Sequence, residues 1–154
     1  MEGVSKAKQV VTAAAGTAIT GDELIDLQET VPDVFQPSCI WIMNKANRTA
    51  IRKLKNSDGD YILQKDATTK WGYTLFGNDV FCSDNMPKMA AGKTAIIYGD
   101  MSGLAVKVSE DMNIEVLREK FATEHAIGVV GWLEMDSKIE NEQKIAVLKM
   151  KAAD

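Results

Sequence analysis

Three observations in this sequence predict an α+β fold with two textures. Two apolar runs, Ile40-Trp41-Ile42-Met43 and Thr94-Ala95-Ile96-Ile97-Tyr98, are too short for helices and rich in strand formers. They read as strands buried on both faces. Residues 21–31 and 45–55 carry apolar side chains at helical spacing. Beyond residue 103, Leu104, Val106 and Val108 alternate with Ala105, Lys107 and Ser109, the pattern of a strand with one wet face.

In chain order, Gln9 to Thr12 can form a short strand, and the Ala- and Gly-rich residues to 21 read as a connection. Thr20 and Glu23 then form a capping box, with Asp22 adding charge in the first turn. Leu24, Leu27 and Val31 line one face of this first helix, and Pro32 ends it. After the strand at 40–43, Asn44 supplies the cap of the second helix. Asn47, Ala50, Ile51 and Leu54 fall on one face of it, with Lys45, Arg48, Arg52 and Lys55 on the other. Asp58-Gly59 is turn chemistry, and Tyr61-Ile62-Leu63 resumes an extended segment.

Short strands follow at 71–76 and 80–83, joined by a turn at Gly77-Asn78-Asp79, and residues 85–93 read as an exposed loop. The strand at 94–98 stops at Gly99-Asp100. Residues 104–109, 114–118 and 126–135 are strands, 136–142 a polar turn, and 145–150 a last strand. Residues 21–103 thus form a compact body with two helices. Residues 104–143 form an antiparallel arm with little core of its own, and such an arm needs a surface to lie against.

With 154 residues, 45% of them hydrophobic, the chain can form one domain that buries about two-thirds of its unfolded surface. A net charge of −4 carried by interspersed residues argues against a dedicated nucleic-acid binder. No run of 18 apolar residues is present, so no helical membrane span is expected. The N-terminus lacks the apolar core of a signal peptide, so a cytosolic product is expected, with Cys39 and Cys82 reduced and structural.

Chemistry-bearing motifs fail on inspection. Gly92-Lys93-Thr94 mimics the end of a phosphate loop, but Pro87 stands where a glycine is needed and a strand follows instead of a helix. Residues 56–60 resemble a calcium loop, yet aligning Gly59 with its central glycine puts Leu54 and Lys65 at ligand positions. The sequon Asn47-Arg48-Thr49 lies inside the second helix. His125 is the only histidine, which leaves no His-based metal cluster and reads as a structural residue. No serine lies in a nucleophile elbow, and Glu110-Asp111 are adjacent on a strand and diverge. The inventory predicts no enzyme, no cofactor and no metal site. The basic stripe Lys45, Arg48, Arg52, Lys55 has three readings: a solvated helix face, a contact to acidic residues of another subunit, or a thin nucleic-acid footprint.

Several fragments together resemble the tailed-phage major capsid family with the Hong Kong 97-type fold. They are the helix at 21–31, Trp41-Ile42-Met43-Asn44, Leu54-Lys55 with Gly59 and Tyr61-Ile62-Leu63, and Leu75-Phe76-Gly77 with Val80. Ser83-Asp84 with Met86-Pro87, the strand ending in Gly99-Asp100, and Asp136 with Ile139 before the last strand complete the series in order. The resemblance implies an axial domain, a mixed sheet flanked by helices, at residues 21–103 and 144–154. It makes residues 1–20 a connecting segment and 104–143 the strands of a peripheral domain. Family members also carry an N-terminal arm, an extended loop and a long spine helix; no such elements are read here, so a C-terminal portion, natural or engineered, is expected. No crosslinking lysine can be carried over.

The implied function is structural: a homo-oligomer of capsomer pentamers and hexamers in an icosahedral virion shell, made in the bacterial host cytoplasm. Its partners would be copies of itself, a scaffold or portal protein, and packaged double-stranded DNA bound non-specifically, with no membrane. Candidate subunit contacts are Lys45, Arg48, Arg52 and Lys55 on the second helix, and Asn85, Met86, Lys88, Met89 and Lys93 in the loop. The rival readings are an encapsulin-type nanocompartment shell and a small ligand-binding or enzymatic domain.

Overall fold

A computed structural model of the chain describes residues 3–55, 59–61, 63–65, 72–117 and 127–153. The expected turn residue Asp58, and Ile62, Trp71, Arg118 and His125, lie outside these. The elements are β1 (Gln9–Thr12), α1 (Gly21–Glu29), β2 (Ile40–Met43), α2 (Lys45–Arg52), β3 (Gln64–Lys65), β4 (Tyr73–Leu75) and β5 (Asn78–Cys82). They continue with β6 (Thr94–Gly99), β7 (Leu104–Leu117), β8 (Gly128–Ile139) and β9 (Ile145–Lys149). Seven strands form one mixed sheet in the order β1-β9-β6-β2-β5-β4-β3, while β7 and β8 pair only with each other.

Both helices end sooner than their apolar spacing suggests. The Val31 N–H bonds three residues back to the Gln28 carbonyl, so the last turn of α1 tightens and the helix stops at Glu29 although Val31 remains buried. Tightened bonds from Lys53 N–H to Ala50 and from Leu54 N–H to Ile51 close α2 at Arg52. The start of α1 is as expected: the Thr20 hydroxyl accepts from the Glu23 N–H, and the Glu23 carboxylate accepts from Thr20 at 2.9 Å. Its other oxygen accepts from the Ala14 N–H at 2.7 Å, which ties the helix to the preceding chain.

Leu24, Leu27, Val31 and Ile51 pack with Trp41, Met43, Ile96, Tyr98 and Leu148, so α1 and α2 cover the same face of the sheet. The Trp41 and Tyr98 rings lie 4.3 Å apart at its centre, and the Trp41 indole N–H donates to the Leu75 carbonyl at 3.1 Å. The other face is covered more thinly, by Val4, Ala7, Met86, Met101 and the arm residues Leu104 and Ile139. This asymmetry corrects one expectation. Strand β6 is buried on both faces, but in β2 only Trp41 and Met43 are, while Ile40 and Ile42 remain half-buried. Residues 9–12, expected as a short strand, are β1 and pair with β9 as the edge strand of the sheet.

Two turn expectations also change. The β4–β5 hairpin turns at Phe76-Gly77, both with positive φ (49° and 85°), and Asn78 and Asp79 enter the strand. A two-residue hairpin loop with that twist suits the flanking strands, and glycine makes half of it inexpensive. Residues 136–139 extend β8 instead of turning, because Leu104 to Lys107 offer them a ladder in which Lys107 stands opposite Asp136. The strands expected separately at 104–109 and 114–118 are one strand, interrupted only by register shifts between Val108 and Asn113.

The arm leaves the body at a tight junction. The Asp100 carboxylate accepts from the Ser102 N–H at 2.9 Å, the Ser102 hydroxyl at 2.7 Å and the Lys144 ammonium at 3.1 Å. The Asp100 N–H donates to the Lys144 carbonyl, and the Glu140 N–H to the Gly103 carbonyl. Just before it, Gly99 passes so near the return strand that a Cβ there would stand 2.8 Å from Ile145 Cα and closer still to the Lys144 carbonyl oxygen. Gly99→Ala is therefore expected to destabilise the body by about 3 kcal/mol, read as a lowered denaturation midpoint with unchanged slope.

The Ser102 hydroxyl above all, with the Ser102 N–H and Lys144, holds the Asp100 carboxyl below its usual range. A lowered folded-state value stabilises fully above the unfolded carboxylate's pKa of about 3.9 and fades as pH falls through the folded value. An acid titration of stability should therefore lose a contribution below about pH 4. Asp100→Asn should lose it at neutral pH, on the order of 1–2 kcal/mol, and flatten that acid limb.

Candidate subunit-contact surfaces

The basic stripe is not a uniform solvated face. Arg48 is half-buried, its guanidinium carbon 4.4 Å from the centre of the Tyr73 ring, and Arg52 lies 5.1 Å from the same ring. The Arg52 guanidinium also donates to the Tyr73 hydroxyl at 3.3 Å. Two cations thus share one aromatic ring, each such contact being worth about 0.5–2 kcal/mol. Lys55 sits 5.1 Å over the Tyr61 ring, and Lys45 and Lys53 are exposed. Beside Arg48, where β4 and β5 diverge, a cleft of about 330 Å³ is walled by Tyr73, Asp79, Val80 and Phe81.

The loop at 85–93 is pinned from beneath by two asparagines. Asn44 caps α2 through its side-chain oxygen, bonded to the Ala46 N–H at 2.9 Å, and donates its amide to the Met86 carbonyl at 2.8 Å. Asn47 is fully buried; its amide donates to the Pro87 and Ala95 carbonyls at 3.0 and 2.8 Å and its oxygen accepts from the Met89 N–H at 3.0 Å. Met86 and Met89 consequently turn inward, one toward each core, and Asn85, Lys88 and Lys93 are the exposed members of the expected contact set. The loop is exposed as expected, with Met86, Met89 and Gly92 half-buried, and a buried helix residue specifies its path.

The arm carries a third surface. Register pairs Leu104 with Ile139, Val108 with Met135, Ile114 with Gly131 and Val116 with Val129. Strand alternation adds Val106 and Leu133 to the same side. This side is apolar apart from Ser137 opposite Val106, and Val108, Ile114 and Val129 are 49%, 60% and 65% exposed. The opposite side pairs Lys107 with Asp136 and Asn113 with Trp132. Cys39 is a free, buried thiol whose titration is pushed up by desolvation, and Cys82 is free and exposed.

The profile described as the phage capsid family matches residues 1–150. The chain belongs to the phage capsid family. It is a member of a structural protein family, with the Hong Kong 97-like α+β fold. Among solved structures, the capsid of a native GTA particle computed with C5 symmetry aligns with a TM-score of 0.77 at 21% identity, over 93% of this chain and 49% of that one. A chain from Gordonia phage Cozz aligns with a TM-score of 0.66 at 13% identity, over 99% and 53%. One from Mycobacterium phage Cain gives 0.60 at 12%, over 98% and 54%. The capsid chain thus spans about half the length of these structures. No curated protein matches it significantly in sequence.

The sequence offered α2 and the loop as contact candidates but gave no sign of Tyr73, which takes up two of the four cations. One signal was present for the loop: an asparagine, Asn47, at a core position of an amphipathic helix, which needs buried partners. Asn47→Leu would leave the Pro87 and Ala95 carbonyls and the Met89 N–H without partners. A loss of about 3 kcal/mol is expected by denaturation, with faster proteolysis confined to residues 85–93.

Proposed function

We propose that this chain is the shell-forming part of a major capsid protein. In that reading it self-associates into capsomers, closes an icosahedral shell around double-stranded DNA, and resides in the virion after synthesis in the host cytoplasm. The mixed sheet with its two helices takes the axial role around the capsomer, and the β7–β8 arm the peripheral one. Scaffold and portal proteins are the accessory partners, and DNA is met only non-specifically. The role is structural, not catalytic.

The observation that carries the reading is the arm. Its body end is fixed by Asp100, Ser102 and Lys144, while a continuous apolar side stands in water. An exposed apolar face of that extent on a two-stranded ribbon is an interaction surface. In a shell, other polypeptide of the capsomer covers it, and symmetry repeats the contact without any single strong site.

The test is expression of the capsid polypeptide that contains this chain, with particles counted by electron microscopy and their nuclease-protected content extracted. Closed particles holding double-stranded DNA are the expected outcome. Val108→Asp with Ile114→Asp should cut particle yield by about tenfold or more while the body keeps its unfolding midpoint, since the cover then meets buried charge. Undiminished yield would remove the arm from the assembly. Particles that enclose protein cargo and no DNA would replace this reading with a nanocompartment shell.

A further inference from the structure

Charge in the first third of this chain is segregated. Residues 9–44 hold five acidic side chains and no Lys or Arg; residues 45–55 hold five basic ones and no Asp or Glu. The fold keeps the two sets apart. Helix α1 packs on β1 and β9 at one end of the strand order, whereas Arg48 and Arg52 of α2 reach β4 near the other. Five strand spacings separate β1 from β4, about 24 Å. Both helices lie on the same face of the sheet.

The outward side of α1 presents Asp22, Asp26 and Glu29 around Ile25, followed by Asp33 and Val34, the latter 83% exposed. Among the described residues none of these carboxylates is in an ion pair. Glu23, the fifth acid, is spent on the capping box. On α2 and its end, Lys45, Arg52, Lys53 and Lys55 are exposed, and Arg52 reaches Tyr73 in the wall of the cleft that Arg48, Asp79, Val80 and Phe81 also line. One surface is an apolar pair rimmed by negative charge; the other is a basic helix face beside a cleft that Arg48 and Tyr73 line, with Asp79 as the single acid in its wall.

We propose that these two surfaces dock on each other between copies of this chain, the acidic α1 face of one against the basic α2 face of the next. Because the surfaces differ and sit at opposite edges of one layer, the contact is head-to-tail, and repeating it generates a ring where the rotation closes. The inference rests on the self-assembly proposed above and names the partner surface within it.

Sedimentation of the purified chain at low and high salt tests it, with circular dichroism confirming the fold. Three proteins are compared: wild type, Asp26→Lys with Glu29→Lys, and Lys45→Glu with Lys53→Glu. Wild type should associate more weakly as salt rises, which association through the apolar arm alone would not do. Each variant should associate about tenfold more weakly or worse, and mixing the two variants should restore association, since their faces are again complementary. Variants that associate as tightly as wild type, or a mixture that gains nothing, overturn this contact and leave shell formation standing. A wild-type chain that stays monomeric at millimolar concentration and low salt also overturns this contact, whereas shell formation falls only if the longer polypeptide gives no particles.

Discussion

The arm's position depends on one close approach of backbone to backbone. Strand β6 ends at Gly99, where the absence of a side chain lets the chain from Lys144 into Ile145 pass in contact. The next residue, Asp100, gathers Ser102 and Lys144 within hydrogen-bonding distance, and Lys144 also lies 5.2 Å over the Phe35 ring. Outgoing and returning strands of the arm are therefore held where the body is densest, between β6 and β9. Charge-assisted bonds at this partly buried site are stronger than surface pairs, because solvent competes less. A ribbon of two strands is marginal alone; anchored at such a root, it keeps a defined direction out of the body.

The same economy appears at the opposite end of β6. Asn47 satisfies three backbone groups that would otherwise be buried without partners, two from the loop and one from β6 itself. A helix–loop–strand unit held this way cannot slide, since displacement would strand polar groups in an apolar interior. This rigidity presents Lys88 and Lys93 at a fixed place, whereas the methionines of the loop fill the gaps beneath it.

What the sequence made legible was what is local. The Thr20–Glu23 capping box, Asn44 as a cap, the apolar stripe of α1 and strands β1, β2, β6 and β9 each depend on residues within a few positions. The misplaced features depend on distant partners. Residues 136–139 read as a polar turn because their ladder partners lie 29 to 35 positions earlier. The stripe of α2 read as one feature because Tyr73, 21 residues beyond Arg52, is what divides it. The hairpin was set one residue late because Asn78 is a turn former, yet its amide finds the Tyr98 hydroxyl at 2.8 Å and stays in the strand.

The surfaces left open differ in what they can contribute. Covering a large aliphatic side chain is worth about 1.5–3 kcal/mol, so the arm's apolar side holds on the order of 10 kcal/mol before the entropic cost of association. Exposed charge pairs contribute about 0–1 kcal/mol each, and salt screens them. In the proposed shell, affinity would therefore come from the arm, and the helix charges would govern which edges meet. An apolar ribbon alone would pair with any apolar ribbon, in either direction. Under the proposed contact, opposite charges at opposite edges of one layer would favour a single head-to-tail order and penalise like edges meeting, the kind of bias that lets a protein with a sticky arm form ordered assemblies instead of aggregating.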